Sequence, residues 1–406
     1  MRFLSRAEPF FVLVAVPALL FPSPLSVLAA APLPLSWMVR LYHGERVIET
    51  TPLDPAILLI VVATLLSAVL TYDVGDSAGK LAGLALGVCI YYVTVRYLGR
   101  LITWETGVAW YAVAGVLVTV LMLVGTLWAG KWPLLTTLAR GLPAMIRGIP
   151  GAERGFHPNA AAGTLLFFLP LLIAWVWSLG GWRRRAGWIV VAASSGTLLL
   201  TQSRTAWLAL LIAAMAWSYV HFRWMRWTTG GLLIVAITAA LLAPTETWSL
   251  LATRLAPATG GDIGSRLEVQ QRGLIALRDQ PLTGTTMNGF RRTVGVLYPL
   301  FTTPSTADVA HAHNQMLQVT LDLGLLGLAG YTALWVGAGV MITMAWRRAH
   351  NRRRRVLEAL AATLVAHFAF GIADAIPLGA KVSVIFWVLL ALCVAAFRET
   401  PHESAT

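Results

Sequence analysis

Apolar runs about as long as the hydrocarbon core of a bilayer recur from one end of the chain to the other, with short arginine clusters in the gaps between them. A spanning helix needs about 20 apolar residues, and a water-soluble fold has no use for so many surfaces of that kind. Composition agrees: 57% of the 406 residues are hydrophobic and only 12% are charged, against about 25% charge in ordinary soluble domains. One all-α integral membrane domain over 1–406 is therefore expected, a polytopic bundle with no separate soluble domain. Cys89 and Cys393 both lie inside apolar runs and supply neither a disulfide framework nor a metal cluster. The net charge of +13 sits in short clusters between apolar runs, which is the positive-inside signal and excludes a nucleic-acid partner.

Measured against the bilayer, spans are expected over 55–70, 81–95, 102–128, 160–179, 188–200, 206–220, 230–243, 316–345, 357–370 and 382–396. The run over 9–38, broken by Pro22 and Pro24, adds two short ones, for about 12 transmembrane helices in all. With the N-terminus in the cytosol, Arg40 and Arg46, Arg96 and Arg100, Arg183 to Arg185, Arg223 and Arg226, and Arg347 to Arg355 fall inside. An even count returns Arg398 and the C-terminus to the same side. The opening stretch reads as a retained helix, since no small-residue cleavage site leads into a soluble chain. Two outer connections are long, 129–157 and 244–315. The second carries Trp248, Leu255, Leu274, Leu277 and Tyr298, enough to bury, and is expected to form a folded helical cap on the outer interface.

Within the cap, Ser265-Arg-Leu-Glu268 matches a capping box, which would make Arg266 the first helical residue. Leu267, Leu274 and Leu277 would share the buried face, and Pro281 and Gly284 would end the helix. An arginine at the positive end of such a helix suits an anion; a solvated interfacial arginine is the alternative. Arg204, in Thr201-Gln-Ser-Arg-Thr205, lies at an outer helix end where the positive-inside rule has no use for it. It either snorkels or serves function. His313, in His311-Ala-His-Asn314, is expected in the first turn of the next span, where the helix N-terminus disfavours imidazolium and leaves a ring able to accept a proton. A structural histidine is the alternative there, and a metal site is not expected because no Cys, Asp or Glu stands at a suitable spacing nearby. Lys80 opens one inward-going span and His157-Pro158-Asn159 another. Arg147 belongs to an interfacial basic stretch that also suits lipid headgroups. Asp73 and Asp76 are spaced wrongly for a divalent-metal pair. Several cations and a histidine at outer helix ends, without paired acids, suit a pyrophosphate.

Thr201-Gln-Ser-Arg204, Ser265-Arg-Leu-Glu268 running to Pro281-Leu-Thr-Gly284, and His313-Asn-Gln-Met-Leu317 followed by Leu323-Gly-Leu-Leu-Gly327 resemble the O-antigen ligases of the O-antigen ligase and polymerase superfamily. The resemblance covers the second half of the chain; the first half agrees mainly in topology and in His157-Pro-Asn159. It departs from the commoner pattern at Thr285-Thr-Met287, where glycine is more usual after Gly284. The resemblance implies a GT-C-type glycosyltransferase fold and transfer of O-antigen from undecaprenyl pyrophosphate to a sugar hydroxyl of lipid A-core. It further implies an active site on the periplasmic side of a Gram-negative inner membrane, surrounded by membrane lipids. The implied reaction inverts the anomeric centre and needs neither cofactor nor metal. By position Arg204 and Arg266 match the family's arginines and His313 its histidine, with Lys80, Arg147, His157, Asn159 and Asn314 as further donor-binding candidates. The rival expectations are an O-antigen polymerase, which would carry arginine motifs in two large outer loops, and a transporter or flippase, which would carry charged pairs at mid-membrane.

Overall fold

The computed structural model describes residues 32–98, 101–128, 130–142, 148, 155–242, 263–301, 303 and 308–399. The paired spans expected over 9–38 lie mostly outside them, as do Arg147 and the first part of the cap, including Trp248 and Leu255. Among the described residues the fold is all-helical, and β-pairing is limited to isolated bridges at Leu98–Ile102 and Thr126–Phe156.

The helices are α1 (Pro32–Tyr42), α2 (Asp54–Leu70), α3 (Val74–Tyr97), α4 (Trp104–Gly125), α5 (Pro133–Arg140), α6 (Pro158–Leu166), α7 (Leu169–Ser178), α8 (Gly181–Leu200), α9 (Arg204–His221) and α10 (Arg223–Leu242). Those of the second half are α11 (Ile263–Asp279), α12 (Gly289–Leu297), α13 (Gln315–Arg348), α14 (Asn351–Ala373) and, after a 3-10 turn, α15 (Val384–Arg398). Five helical stretches are long and apolar enough to cross a membrane: α3, α4, α13, α14 and Lys381–Arg398. The pair α6 and α7, bent by 41°, adds a sixth if it counts as one span. That bend divides the run expected as a single span over 160–179. It leaves the Phe167 carbonyl free, and the Tyr111 hydroxyl donates to it at 2.9 Å.

Packing follows three main seams, α13 on α2, α9 on α14 and α15 on α3. The buried core around them includes Ile60, Trp104, Phe167, Tyr331, Leu360 and Trp387. Leu65, Val69, Leu117 and Val340 stay exposed, as a lipid-facing surface requires. The arginine clusters gather at one end of the bundle, where Arg40 reaches Tyr97, Arg398 reaches Glu49, and Arg352 reaches Ser178. The helix ends near Asn159, Arg204, Gln315 and Asp374 gather at the other.

The cap joins the bundle through a break in α13. Gly324 has φ +67°, which interrupts the helix, and the segment after α11 fills the gap. Leu325 N–H donates to the Pro281 carbonyl at 3.1 Å, and Thr285 N–H donates to the Leu321 carbonyl at 2.8 Å. The cap backbone thus supplies bonds that the broken helix gave up. Asp322, just before the break, accepts from Asn288 N–H at 3.0 Å. Thr286 and Asn288 themselves stand at φ +67° and +65°, so non-glycine residues hold left-handed backbone in and beside the Thr285–Met287 stretch.

Several local expectations are corrected. Helix α11 begins at Ile263, so Ser265 is not its cap, and Glu268 instead accepts from the backbone N–H groups of Phe301 and Thr303. Its inner face is Val269, Gly273 and Ala276 rather than Leu267 and Leu274, which are exposed. Gly273 sets this, because it brings α11 against Leu317 and Leu321. Lys80 lies inside α3, whose start is capped by Asp73. His313 precedes the first turn of α13, and Asn314 caps it.

A methyl group on Gly324 would stand 1.8 Å from the Leu282 carbonyl oxygen, whereas one on Gly339 of the same helix meets nothing within 4 Å. Gly324→Ala is therefore expected to lower the thermal midpoint sharply, strain at φ > 0 alone costing about 1–3 kcal/mol before the clash. Gly339→Ala should be neutral or gain up to about 1 kcal/mol; equal midpoints for the two variants would refute the docking of the cap into the break.

Candidate functional site

Helix α14 ends at Ala373, and Asp374 follows in extended backbone with its side chain 1% exposed. A carboxylate removed from water in this way needs donors around it, and three other segments provide them. Asn159, in the first turn of α6, donates from Nδ2 to Asp374 Oδ2 at 2.9 Å. His313 Nδ1 lies 3.4 Å and His311 Nε2 3.6 Å from Oδ1. Arg266, in the first turns of α11, places a guanidinium nitrogen 3.5 Å from Oδ2 and donates to the Ala373 carbonyl at 2.6 Å. Asn314 donates from Nδ2 to the Ile372 carbonyl at 3.0 Å while its Oδ1 accepts from Leu317 N–H at 2.9 Å.

The two histidines are presented by a tight turn. His313 has φ +49°, its N–H donates to His311 Nδ1 at 3.3 Å, and its carbonyl accepts from Gln270 at 3.0 Å. Ala312 N–H donates to Gln318 Oε1 at 2.8 Å, so α13 holds the turn from below and α11 from the side. His157 caps α6 through Nδ1, which accepts from Asn159 N–H at 3.2 Å.

A second cluster adjoins this one. Gln202, at φ +53°, accepts on Oε1 from the N–H groups of Lys131 and Trp132 at 2.9 and 2.7 Å. Lys131 Nζ donates back to the Gln202 carbonyl at 3.4 Å. Arg204 starts α9 two residues later, exposed and without a hydrogen bond or ion pair to the described residues. Burial lowers the pKa of Lys131, and the charges of Arg204 and Arg266 lower it further against the pull of Asp374; these cations therefore feel one another. On α3, the buried Lys80 Nζ has no hydrogen-bond partner among the described residues, and its charge reaches His311.

The site thus brings His313, Arg266 and Asn159 to one carboxylate, with His157 and Asn314 bonded to its neighbours and Lys80 and Arg204 on its flanks. Asp374, Lys131 and Gln202 were not foreseen as site residues. Asp374 follows an apolar run some 61 residues from His313, and no local spacing links the two. This corrects the expectation that no acid lies near the histidine pair: ligand atoms of His311, His313 and Asp374 stand within 4.8 Å of one another. Asn159 and Arg266 already occupy that carboxylate, so a metal ion there would compete with a guanidinium. Asp73 and Asp76, by contrast, are paired with Arg292.

Electrostatics favours neutral rings at His311 and His157 and an ionised Asp374. Burial pushes the His311 imidazole down to about 4, opposing the attraction of Asp374, and burial likewise lowers His157. On its own burial would raise the Asp374 carboxyl, yet the hydrogen bond from His313 and the neighbouring positive charges hold it below the usual carboxylate range. Between about pH 4 and the ordinary histidine value near 6.5, the unfolded chain binds a proton at residue 311 that the folded chain refuses. Stability from this group therefore rises with pH through that window and is lost as pH falls through it. The thermal midpoint should drop on acidification from pH 7 to 4.5, and His311→Asn should flatten the drop; an unchanged profile would contradict the burial of this ring.

Residues 189–332, a little over a third of the chain, match the family model described as O-Antigen ligase. No curated protein matches the chain. The matched stretch holds Arg204, Arg266, His313 and Asn314 together with the Gly324 break that docks the cap, and it supports membership of the O-antigen ligase superfamily, whose members transfer lipid-linked glycans as ligases or polymerases.

Proposed function

We propose that the protein is an O-antigen ligase that moves O-antigen from undecaprenyl pyrophosphate to a sugar hydroxyl of lipid A-core, at the periplasmic face of a Gram-negative inner membrane. The observation that carries this reading is the convergence of Arg266 and His313, both inside the family match, on the buried Asp374. About twelve spans of GT-C type would frame the site, with the polyprenyl tail in lipid beside the outer helix ends.

In this reading the tautomer of His313 with its proton on Nδ1 donates to Asp374, which leaves Nε2 as the acceptor. The acceptor hydroxyl attacks the anomeric carbon from the face opposite the pyrophosphate and loses its proton to Nε2. The bond from the anomeric carbon to the pyrophosphate oxygen breaks, and the configuration inverts. Negative charge then gathers on the leaving pyrophosphate. Arg266 and Arg204, with Lys80 and Lys131, stabilise it, a task that fixed cations perform without a metal. Asn159 and Asn314 hold the carboxylate and the end of α14 in register.

Purified protein, undecaprenyl-pyrophosphate glycan and lipid A-core, mixed with chelator present, should yield lipopolysaccharide of reduced mobility. His313→Ala should lose about 10²- to 10⁴-fold in rate at a temperature where the variant is still folded, and Asp374→Asn should lose rate likewise by favouring the wrong tautomer. Arg266→Lys should also be inactive, because an ammonium cannot bridge the Ala373 carbonyl and an anion as the guanidinium fork does. An active His313→Ala refutes the base, loss of product with chelator refutes the metal-free reaction, and longer lipid-linked glycan in place of lipopolysaccharide assigns a polymerase.

A further inference from the structure

At the arginine-rich end of the bundle, α7, α9 and α14 leave a cleft of about 500 Å³ between them. Alanines at 174, 213, 359 and 362 make the space, and its walls are almost wholly apolar. Along α14 it runs from Arg352 to Ala362, roughly 15 Å at 1.5 Å per residue. That is the depth of one leaflet, half of a hydrocarbon core of about 30 Å. The same helix carries Asp374 at its other end, so this cleft is separate from the site above.

The mouth is charged in one sense. Glu358 is already matched by His221 at 3.2 Å, Arg354 at 3.5 Å and the Trp346 indole at 2.9 Å. Arg355 has no ion pair with a described residue, and Arg352 has only the Ser178 hydroxyl at 2.9 Å. Trp177, exposed on the rim, carries the Arg184 guanidinium 5.4 Å from its ring centroid, an arrangement suited to the membrane-water interface. An apolar slot one leaflet deep beneath two uncompensated guanidiniums has the chemistry of an amphiphile with an anionic head.

We infer that this cleft binds one anionic glycerophospholipid from the leaflet opposite the site, with an acyl chain in the slot and the headgroup phosphate on Arg352 and Arg355. Slot depth argues for this occupant over a polyprenyl chain, which is longer than one leaflet. Bound there, the lipid would fix the spacing of α9 and α14, the helices whose other ends carry Arg204 and Asp374.

Native mass spectrometry of the full chain in neutral detergent, with palmitoyl-oleoyl phosphatidylglycerol or phosphatidylcholine added in turn, tests the assignment. One phosphatidylglycerol per chain should be retained about tenfold over phosphatidylcholine. Arg352→Gln with Arg355→Gln should abolish that preference. Ala362→Phe, on a partly exposed position inside the slot, should reduce retention with both arginines intact, at a thermal midpoint close to the wild type. Equal retention of the two lipids by the wild type, a preference that survives the two arginine substitutions, or retention undiminished by Ala362→Phe overturns the inference. So does displacement of phosphatidylglycerol by an equal amount of undecaprenyl phosphate, which would give the slot to a polyprenyl tail.

Discussion

A carboxylate almost entirely withdrawn from water at the edge of a bilayer must be compensated where it stands, because the uncompensated charge costs several kcal/mol (about that much after relaxation). Asp374 is such a group, and no single helix satisfies it. Its donors come from the start of α6, from the start of α11 in the cap, and from the turn before α13. The end of the bundle that carries Asp374 therefore reaches its full stability only when cap and bundle are assembled together. The same requirement gathers the side chains with useful chemistry, since a histidine, an arginine and an asparagine that satisfy one carboxylate necessarily lie within a few ångströms of one another.

Assembly at that level relies on the break in α13. A continuous helix through Gly324 would keep its own hydrogen bonds and offer none to the cap. By breaking there it frees the Leu321 carbonyl and the Leu325 N–H, and the Pro281–Thr285 segment takes both. The exchange costs little in net hydrogen bonding and fixes the height of α11 above the bundle. Gly273 lets α11 lie close against Leu317 and Leu321, and this in turn sets where the Arg266 guanidinium meets the end of α14. One backbone defect thus determines the position of a side chain on another helix.

Much of the scaffold was legible because lipid imposes a simple rule on composition. The apolar runs located α2, α4, α13, α14 and α15, and the prolines and polar residues before them located the starts of α6 and α9. Local signals misled where tertiary contact outweighed them. The Ser265 to Glu268 spacing fits a capping box, but Glu268 found better donors in the backbone at 301 and 303, and the helix began earlier. Leu267 and Leu274 looked like a core face by hydrophobicity alone, yet a small residue at 273 decided which side of α11 could approach α13. His313, Arg266, Arg204 and Asn159 were recognisable because each sits at a helix end with no evident topological duty. Asp374 was not, since an acid after an apolar run resembles an ordinary helix terminus until the chain brings it beside a histidine turn far away in sequence.

Charge balance at the site explains why this arrangement suits an anion rather than a neutral ligand. Burial keeps His311 and His157 neutral near pH 7, so neither adds positive charge at rest. Asp374 is the one acid in direct contact with the cluster among the described residues, and it is divided between His313 and Arg266. Arg204, Lys131 and Lys80 are left without a carboxylate partner there, and Lys131 is already disfavoured as a cation by burial and, beyond that, by its arginine neighbours. An arriving pyrophosphate would relieve that repulsion while leaving Asp374 in contact with His313. Under the proposed mechanism the division of labour follows directly: the carboxylate orients the histidine throughout, and the arginines meet charge that is greatest as the leaving group departs.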